Sequence, residues 1–534
     1  MSHEQLAPGS ALPLVRSISG APDPLDLFVK TCDGGMRPDT LLLESGDTAD
    51  RRSEKSLIVV GSALRITCRD RVVEVKALNA NGRSILPWLA SKLEAHARID
   101  MAPGAIVATF ATPTFGDEES HLKAPSPVDV LRNVMQMSAG SSTSAHLHLV
   151  AGVFSYDFLG TYESLPPPAA DELQWPDFEF WLPDRMIWVQ HRHNSAAVVA
   201  HVFGGEFRDQ SYNDAMNAVA HLSSVCAATL PSSSSNESPL VDDLALEAEV
   251  DLSDGEYMQL VEKLKKHVDA GDVFQIVPSR TFRLPCADPV MSYRKLRAIN
   301  PSPYMFFVNG TRGILFGSSP ETSVKVDGTP RRVEIRPIAG TRRRARTESG
   351  EIDKDLDSRL EADLRLDEKE LAEHMMLVDL ARNDVARVSE PGTRTVDKLL
   401  AVERYSHVMH LVSHVSGRLR SDLDALHAYV AAMNMGTLVG APKLKAAELL
   451  RLHEKNARGA YGGAVGYFTA DGRMDTSVVI RSAVVANGIA NVRAGAGVVS
   501  DSVPEMEMIE TRRKAEAVLR AIVATPKKAH AQKP

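Results

Sequence analysis

A polar, Ser-rich and then acidic stretch, LPSSSSNESPLVDDLALEAEVD, from Leu230 to Asp251, does most to limit how this chain can fold. Text of that composition buries little apolar surface and reads as a linker crossing the outside of a molecule. It sets a boundary over residues 230–252 and separates two long blocks. Residues 1–22 are rich in Ser, Gly and Pro and read as a loose leader. From 23 to 229, short β-like runs such as SLIVVGSALRITC and AAVVAHVFGG alternate with turn signals and a few helical stretches. Past the linker, Ser253 precedes Glu256 at the spacing of a capping box, so the second block, 253–520, opens with a helix. Strand runs follow (FQIVPSRTFRL, YMFFVNG, GILFGSS) among long helices, with a tail over 521–534. Strands with helices segregated among them predict an α+β fold of layered sheets and helices.

Charge and cysteine usage remove several function classes. Lys plus Arg number 61 against 69 Asp plus Glu, a net charge of −8 that offers no general field for a phosphate backbone, so no nucleic acid partner is expected. Cys32, Cys68, Cys226 and Cys286 stand far apart with no CxxC pair, which argues against a disulfide framework or a zinc knuckle and fits a reducing cytoplasm. No run of apolar residues is long enough for a membrane span, and the start lacks the order of a secretory signal. GAGVVS, from Gly495, lacks the third glycine of a dinucleotide fingerprint, and no phosphate-cradling GxxxxGK[ST] loop occurs.

Chemistry concentrates in the second block. In DEKELAEHMMLVDLARND, Glu370 and Glu373 share a helix face with Met376 and Leu377; in PEMEMIETRRK, Glu507 and Glu510 repeat the spacing and Lys514 follows one turn on. Such pairs are ordinary on solvated helices, yet each adjoins text unlike a solvated face, and four carboxylates from two helices form a hard oxygen site suited to Mg²⁺. His407, His410 and His414 fall in YSHVMHLVSHVSG, whose β-branched residues favour a strand, and then only His410 and His414 share a face. On spacing alone His410 reads either as a core histidine or as a catalyst. Gly462, Gly463, Gly495 and Gly497 suit close backbone approach to an anionic ligand. Arg481, in VVIRSAVV, is expected amid a strand, where it serves a structural ion pair or a ligand clamp. The run TRRRART from Thr341 reads as a solvated loop.

Nine blocks in order, DVFQIVPSR, NPSPYMFFV, FGSSPE, RPIAGTR, EHMMLVDLARND, YSHVMHLVSHV, GTLVGAPK, RGAYGGAVGY and AGAGVVSDSVPEMEMIE, resemble the signature blocks of the chorismate-binding enzymes, and of anthranilate synthase component I in particular. The resemblance spans residues 23–520 and implies one fold, the N-terminal part packed on the catalytic part, with chorismate and Mg²⁺ in a cleft. It implies Glu373 and Glu510 as direct Mg²⁺ ligands, with Glu370 and Glu507 acting through water. Thr437, Tyr461, Arg481, Gly495 and Gly497 match positions that hold the substrate, and Lys514 matches a basic contact near the metal. Glu321 matches the acid that protonates the departing 4-hydroxyl while ammonia attacks C2, and His410 the base that removes the C2 proton so that pyruvate leaves.

Two positions separate relatives on this scaffold. Gln275 stands where water-adding members carry a lysine, and Ala339 stands in PIAGT where C4-aminating members read PIKGT, so the resemblance implies amination at C2. An aminodeoxyisochorismate synthase, which stops before pyruvate loss, is the neighbouring alternative. A non-catalytic tryptophan-binding regulator is the alternative from another class; it should have lost acidic or proton-transfer residues, and all are present here. No cysteine lies in a glutaminase nucleophile setting, so the resemblance implies a separate glutamine amidotransferase subunit, in a heterotetramer of two of each chain. LLLESGD and NPSPYM resemble the halves of a tryptophan feedback pocket, matching Glu44, Ser45, Asn300, Pro303, Tyr304 and Met305 to its lining.

Overall fold

A computed structural model describes residues 5–46, 55–112, 116–137, 146–229, 248–347, 350–405 and 408–525. Residues 230–247 of the expected linker, His407 and the tail from residue 526 lie outside the described residues.

The expected leader carries a strand, which corrects its reading as a loose segment. Ala11–Ser19 pairs antiparallel along its whole length with Ser195–Phe203. The cause is the apolar content of ALPLVRSIS, which composition over a wider window conceals; Ala11 is buried in the main core. Two long strands, Lys55–Arg69 and Phe178–Gln190, then pair with register shifts between Val59 and Leu64. Such bulges bend a ribbon, and this one lets the two strands serve two sheets.

One sheet runs outward from Lys55–Arg69 through Thr40–Glu44, Tyr304–Gly310, Gly313–Ser319, Ser482–Ala486, Ile489–Gly495 and Ser279–Pro285. The other runs from Phe178–Gln190 through Leu149–Phe154, Ala464–Thr469, Met474–Val478, Thr322–Asp327, Arg332–Ile335 and Val408–Arg418, which also pairs with Ile338–Arg343 and Thr395–Arg404. Strands from both sides of the linker are therefore hydrogen-bonded into each sheet, through Thr40–Glu44 with Tyr304–Gly310 in one and Leu149–Phe154 with Ala464–Thr469 in the other, a tighter union than packing of two blocks. Leu57, Val153, Trp181, Phe306, Leu315 and Val465 fill the space between the sheets. Full burial of a side chain such as Phe306 stabilises the fold by roughly 1.5–3 kcal/mol.

The helices follow local signals. Ser253 Oγ accepts from the Glu256 amide and the Glu256 carboxylate accepts from the Ser253 amide, the expected capping box at the head of Asp254–Asp269. Asp367 accepts from the Glu370 amide at the start of Glu368–Val388, and Pro504 opens the last helix, Pro504–Val523. Among the described residues, no helix is long and apolar enough to cross a membrane.

Candidate active site

Glu321 sits where the chain passes from one sheet to the other, between Gly313–Ser319 and Thr322–Asp327. Its amide donates to Ser319 Oγ and its carbonyl accepts from the Val478 amide at 3.0 Å, so the backbone is fixed on both sides. The buried carboxyl accepts a hydrogen bond from Thr437 Oγ1 at 2.9 Å. Burial pushes it up to about 7, against the opposing pull of that hydrogen bond and of the Lys514 charge. A carboxyl in that state keeps a proton to give near neutral pH.

His410 lies in the strand Val408–Arg418, as its β-branched setting predicts. Its Nδ1 is 2.9 Å from Thr341 Oγ1, and the Tyr405 ring meets the imidazole edge-on, 5.5 Å between centroids. Burial, reinforced by the Arg481 charge, lowers it to about 4. The imidazole is therefore neutral at physiological pH, with a lone pair on one nitrogen. The two groups are pushed in opposite directions, one toward an acid and the other toward a neutral base.

The remaining residues gather around Lys514. Its ammonium donates to the Gly495 carbonyl at 3.0 Å and pairs with Glu510 at 2.6 Å, while its own carbonyl accepts from Arg481 Nη1 at 2.9 Å. Arg481 is not amid a strand. It occupies the bend between Met474–Val478 and Ser482–Ala486 with φ of 50°, because the apolar run VVIRSAVV spans two strands. Gly495 admits no side chain: a Cβ there would stand 2.6 Å from the Pro278 carbonyl and 3.1 Å from the Tyr461 hydroxyl. At Gly497 a Cβ would meet Gln275 Nε2 at 2.6 Å, and Gln275 Oε1 is buried with no partner among the described residues. Orphaned buried acceptors are uncommon and mark places where a ligand supplies the partner.

The acidic pairs face one another from Glu368–Val388 and Pro504–Val523. Burial raises Glu373 to about 7, and the charges of Glu370, Glu510 and Glu507 add to the rise against Lys369. Glu507, buried and bonded to Ser502 Oγ at 2.8 Å, is raised as well. Burial alone would raise Glu510, but the Lys514 ammonium outweighs it and holds the group below its ordinary value. Glu370 pairs with Arg342 at 3.0 Å. Among the described residues, no three His, Cys, Asp or Glu side chains stand together as a ready ligand shell. The donor set is nevertheless all oxygen and mutually repelling, the chemistry that accepts a hard divalent cation.

A cavity of about 360 Å³ opens between the sheets, lined by Glu44, Ser45, Pro303, Tyr304 and Met305 among others. Asn300 is not on that lining: it ends the helix Pro289–Ile299 and is tied to Ser318, whose hydroxyl donates to its carbonyl. Sequence reading missed Lys55, which stands over the Trp188 and Tyr467 rings at 5.3 and 5.2 Å, and Asp475, which accepts from the Tyr304 hydroxyl at 3.0 Å. Both line the cavity. It also missed Thr341 as a partner of His410, since only the sheet pairing brings the two together.

The family of chorismate binding enzymes matches residues 88–520. The chain belongs to that family. Anthranilate synthase component 1 of Escherichia coli K12 is 46% identical over 503 residues, 94% of each chain. The pyocyanine-specific anthranilate synthase component 1 of Pseudomonas aeruginosa PAO1 is 46% identical over 487 residues, covering 91% of this chain and 90% of that one. Among solved structures, anthranilate synthase component I of Streptococcus pneumoniae TIGR4 superposes with a TM-score of 0.67 at 28% identity, covering 87% of this chain and 92% of that one. In this chorismate-binding enzyme, Glu321, Thr437, Lys514, Arg481 and His410 are linked by hydrogen bonds or by mutual charge, and the cavity shares a wall with them: Pro320 and Thr322 line it on either side of Glu321.

Proposed function

We propose that the chain is the chorismate-using subunit of an anthranilate synthase, forming anthranilate and pyruvate from chorismate and ammonia at the head of tryptophan synthesis. The observation that carries this reading is the opposed tuning of Glu321, held protonated to about 7, and His410, held neutral down to about 4. Glu321 donates its proton to the 4-hydroxyl, which leaves as water while ammonia bonds to C2 and the ring double bonds shift. His410 then takes the C2 proton, and pyruvate departs from the aromatic ring. Arg481, Lys514, Thr437 and Tyr461 orient the anionic substrate, and Gly495 and Gly497 let it approach the backbone.

Glu373 and Glu510 would hold Mg²⁺ directly, with Glu370 and Glu507 behind them. When bound, the ion supplies Lewis-acid charge to the ring carboxylate and offsets the repulsion among the four glutamates. The cavity lined by Ser45 and Tyr304 takes tryptophan as a feedback inhibitor. Ammonia comes from glutamine through a separate amidotransferase chain, two of each forming a heterotetramer in the cytoplasm, where the four free cysteines stay reduced. The test is to incubate the purified chain with chorismate, Mg²⁺ and ammonium at alkaline pH and identify products by mass. Anthranilate with pyruvate supports the reading; an aminated product that retains its pyruvyl group assigns an aminodeoxyisochorismate synthase; unchanged chorismate leaves the non-catalytic regulator.

A further inference from the structure

The segment 433–442 carries Thr437 and lies against the helix Glu368–Val388. At Gly436 a Cβ would stand 2.5 Å from Leu380 Cδ1 of that helix, so only a residue without a side chain allows the approach. One turn further along the helix, buried Asp384 accepts a hydrogen bond from the Lys443 ammonium at 2.6 Å. The same ammonium donates to the Ala432 carbonyl at 3.1 Å. A turn beyond Asp384, Arg387 donates to the Ala431 carbonyl at 2.9 Å. Lys443 therefore joins the two ends of the segment to each other and ties both to the helix. Within the closed loop, the Leu438 carbonyl accepts from Arg458 Nη1 at 2.6 Å and the Val439 carbonyl from the Val277 amide at 3.1 Å. Between these anchors the Thr437 hydroxyl reaches the Glu321 carboxyl at 2.9 Å.

We propose that Asp384 and Lys443 are positioning residues for the first half-reaction: by closing the segment onto the helix they hold the Thr437 hydroxyl on the Glu321 carboxyl. The inference rests on the reading of Glu321 as the acid that protonates the leaving hydroxyl. A buried ion pair stabilises a fold little more than apolar side chains of similar volume would, and what distinguishes this pair is the loop it closes. The pair acts one step removed from the chemistry, since the hydrogen bond to the carboxyl comes from Thr437. The helix that presents Glu370 and Glu373 near its start thus also sets, through Asp384 near its end, the partner of the acid. Holding a donor in place in this way is how side chains remote from the reacting atoms contribute to rate.

The test uses the full chain and the double variant Asp384→Asn with Lys443→Met, which removes both charges together and leaves the net charge unchanged. Each single variant strands one buried charge and should melt below the double variant, so stability and positioning are read separately. Carbon NMR of chain labelled at the glutamate carboxyls, with the Glu321 signal assigned by Glu321→Gln, follows the titration of that group. The Thr437 bond lowers the carboxyl, so its loss should move the titration to higher pH in the double variant, as in Thr437→Val. The alkaline fall of kcat/KM for chorismate consumption, at fixed free ammonia, should move with it. Adding Thr437→Val to the double variant should change consumption by less than about twofold, because the bond is already lost. A double variant whose Glu321 titrates as in the parent overturns the proposal, as does a Thr437→Val effect of equal size in both backgrounds. If Glu321→Gln consumes chorismate at the parent rate, the acid reading has failed instead, and the NMR titration still decides whether the pair holds Thr437.

Discussion

The Thr437 hydroxyl donates to the Glu321 carboxyl at 2.9 Å across a separation of 116 residues, and this bond opposes the burial that keeps the carboxyl protonated. Removing it with Thr437→Val should push Glu321 higher still. An acid works while it holds its proton, so the alkaline fall of kcat/KM should move to higher pH in the variant. The profile is to be measured at fixed free ammonia; an unmoved limb would detach Thr437 from Glu321.

The same carboxyl makes a statement about stability. Its folded value of about 7 lies above the ordinary 4.5 of an unfolded chain. A raised acid stabilises the fold below the unfolded value, and that contribution is lost as pH rises through the folded one. Glu321→Gln removes the titration, so between about pH 5 and about pH 8 it should lose less stability than the parent, by at most about 3 kcal/mol. It should also slow chorismate consumption by about 10² to 10⁴. Thermal melts at the two pH values, with activity, check both.

His410→Met removes the titratable nitrogen and keeps similar bulk. Chorismate should still be consumed, and the aminated intermediate should accumulate in place of anthranilate. Mass analysis of the products decides; anthranilate at the parent rate would return His410 to the core.

Glu373 is raised by burial and by three neighbouring carboxylates. Mg²⁺ should therefore raise the melting temperature of the parent, and Glu373→Gln should raise the metal-free melting temperature while abolishing both the Mg²⁺ response and turnover. Chelation should stop turnover reversibly. A full Mg²⁺ response in Glu373→Gln would remove this residue from the site.

Ser45→Phe places a ring in the 360 Å³ cavity and should relieve tryptophan inhibition while leaving uninhibited turnover within about twofold. Inhibition curves for parent and variant compare directly. Unchanged sensitivity places the effector elsewhere.

What could be read in the sequence was what short spacing controls. The capping box at Ser253 and the paired faces of Glu370 with Glu373 and Glu507 with Glu510 depend on residues within one helical turn, and they stand where the text puts them. The resemblance pointed to Glu321 and His410 as the proposed acid and base, and the family is the one it named. Cross-strand partners were invisible: Thr341 and His410 are 69 residues apart, and nothing in TRRRART distinguishes a strand end holding an imidazole from a solvated loop. Arg481 was misplaced because an apolar run conceals a left-handed bend, and Ala11–Ser19 because Ser, Gly and Pro nearby obscured a short strand. Lys55 and Asp475 reach the cavity through sheet pairings that no local pattern encodes.

The passage of the chain from one sheet to the other at Pro320–Thr322 makes the cavity and the acid carboxyl two sides of one short span. A ligand that shifts this span from the cavity side changes the affinity on the catalytic side, and equilibrium coupling has no direction. On the proposed reading of the cavity as an effector site, chorismate and the effector loosen each other by the same factor. On that reading an enzyme filled with substrate is to that extent deaf to the effector, and supply of the substrate sets the level at which it begins to listen.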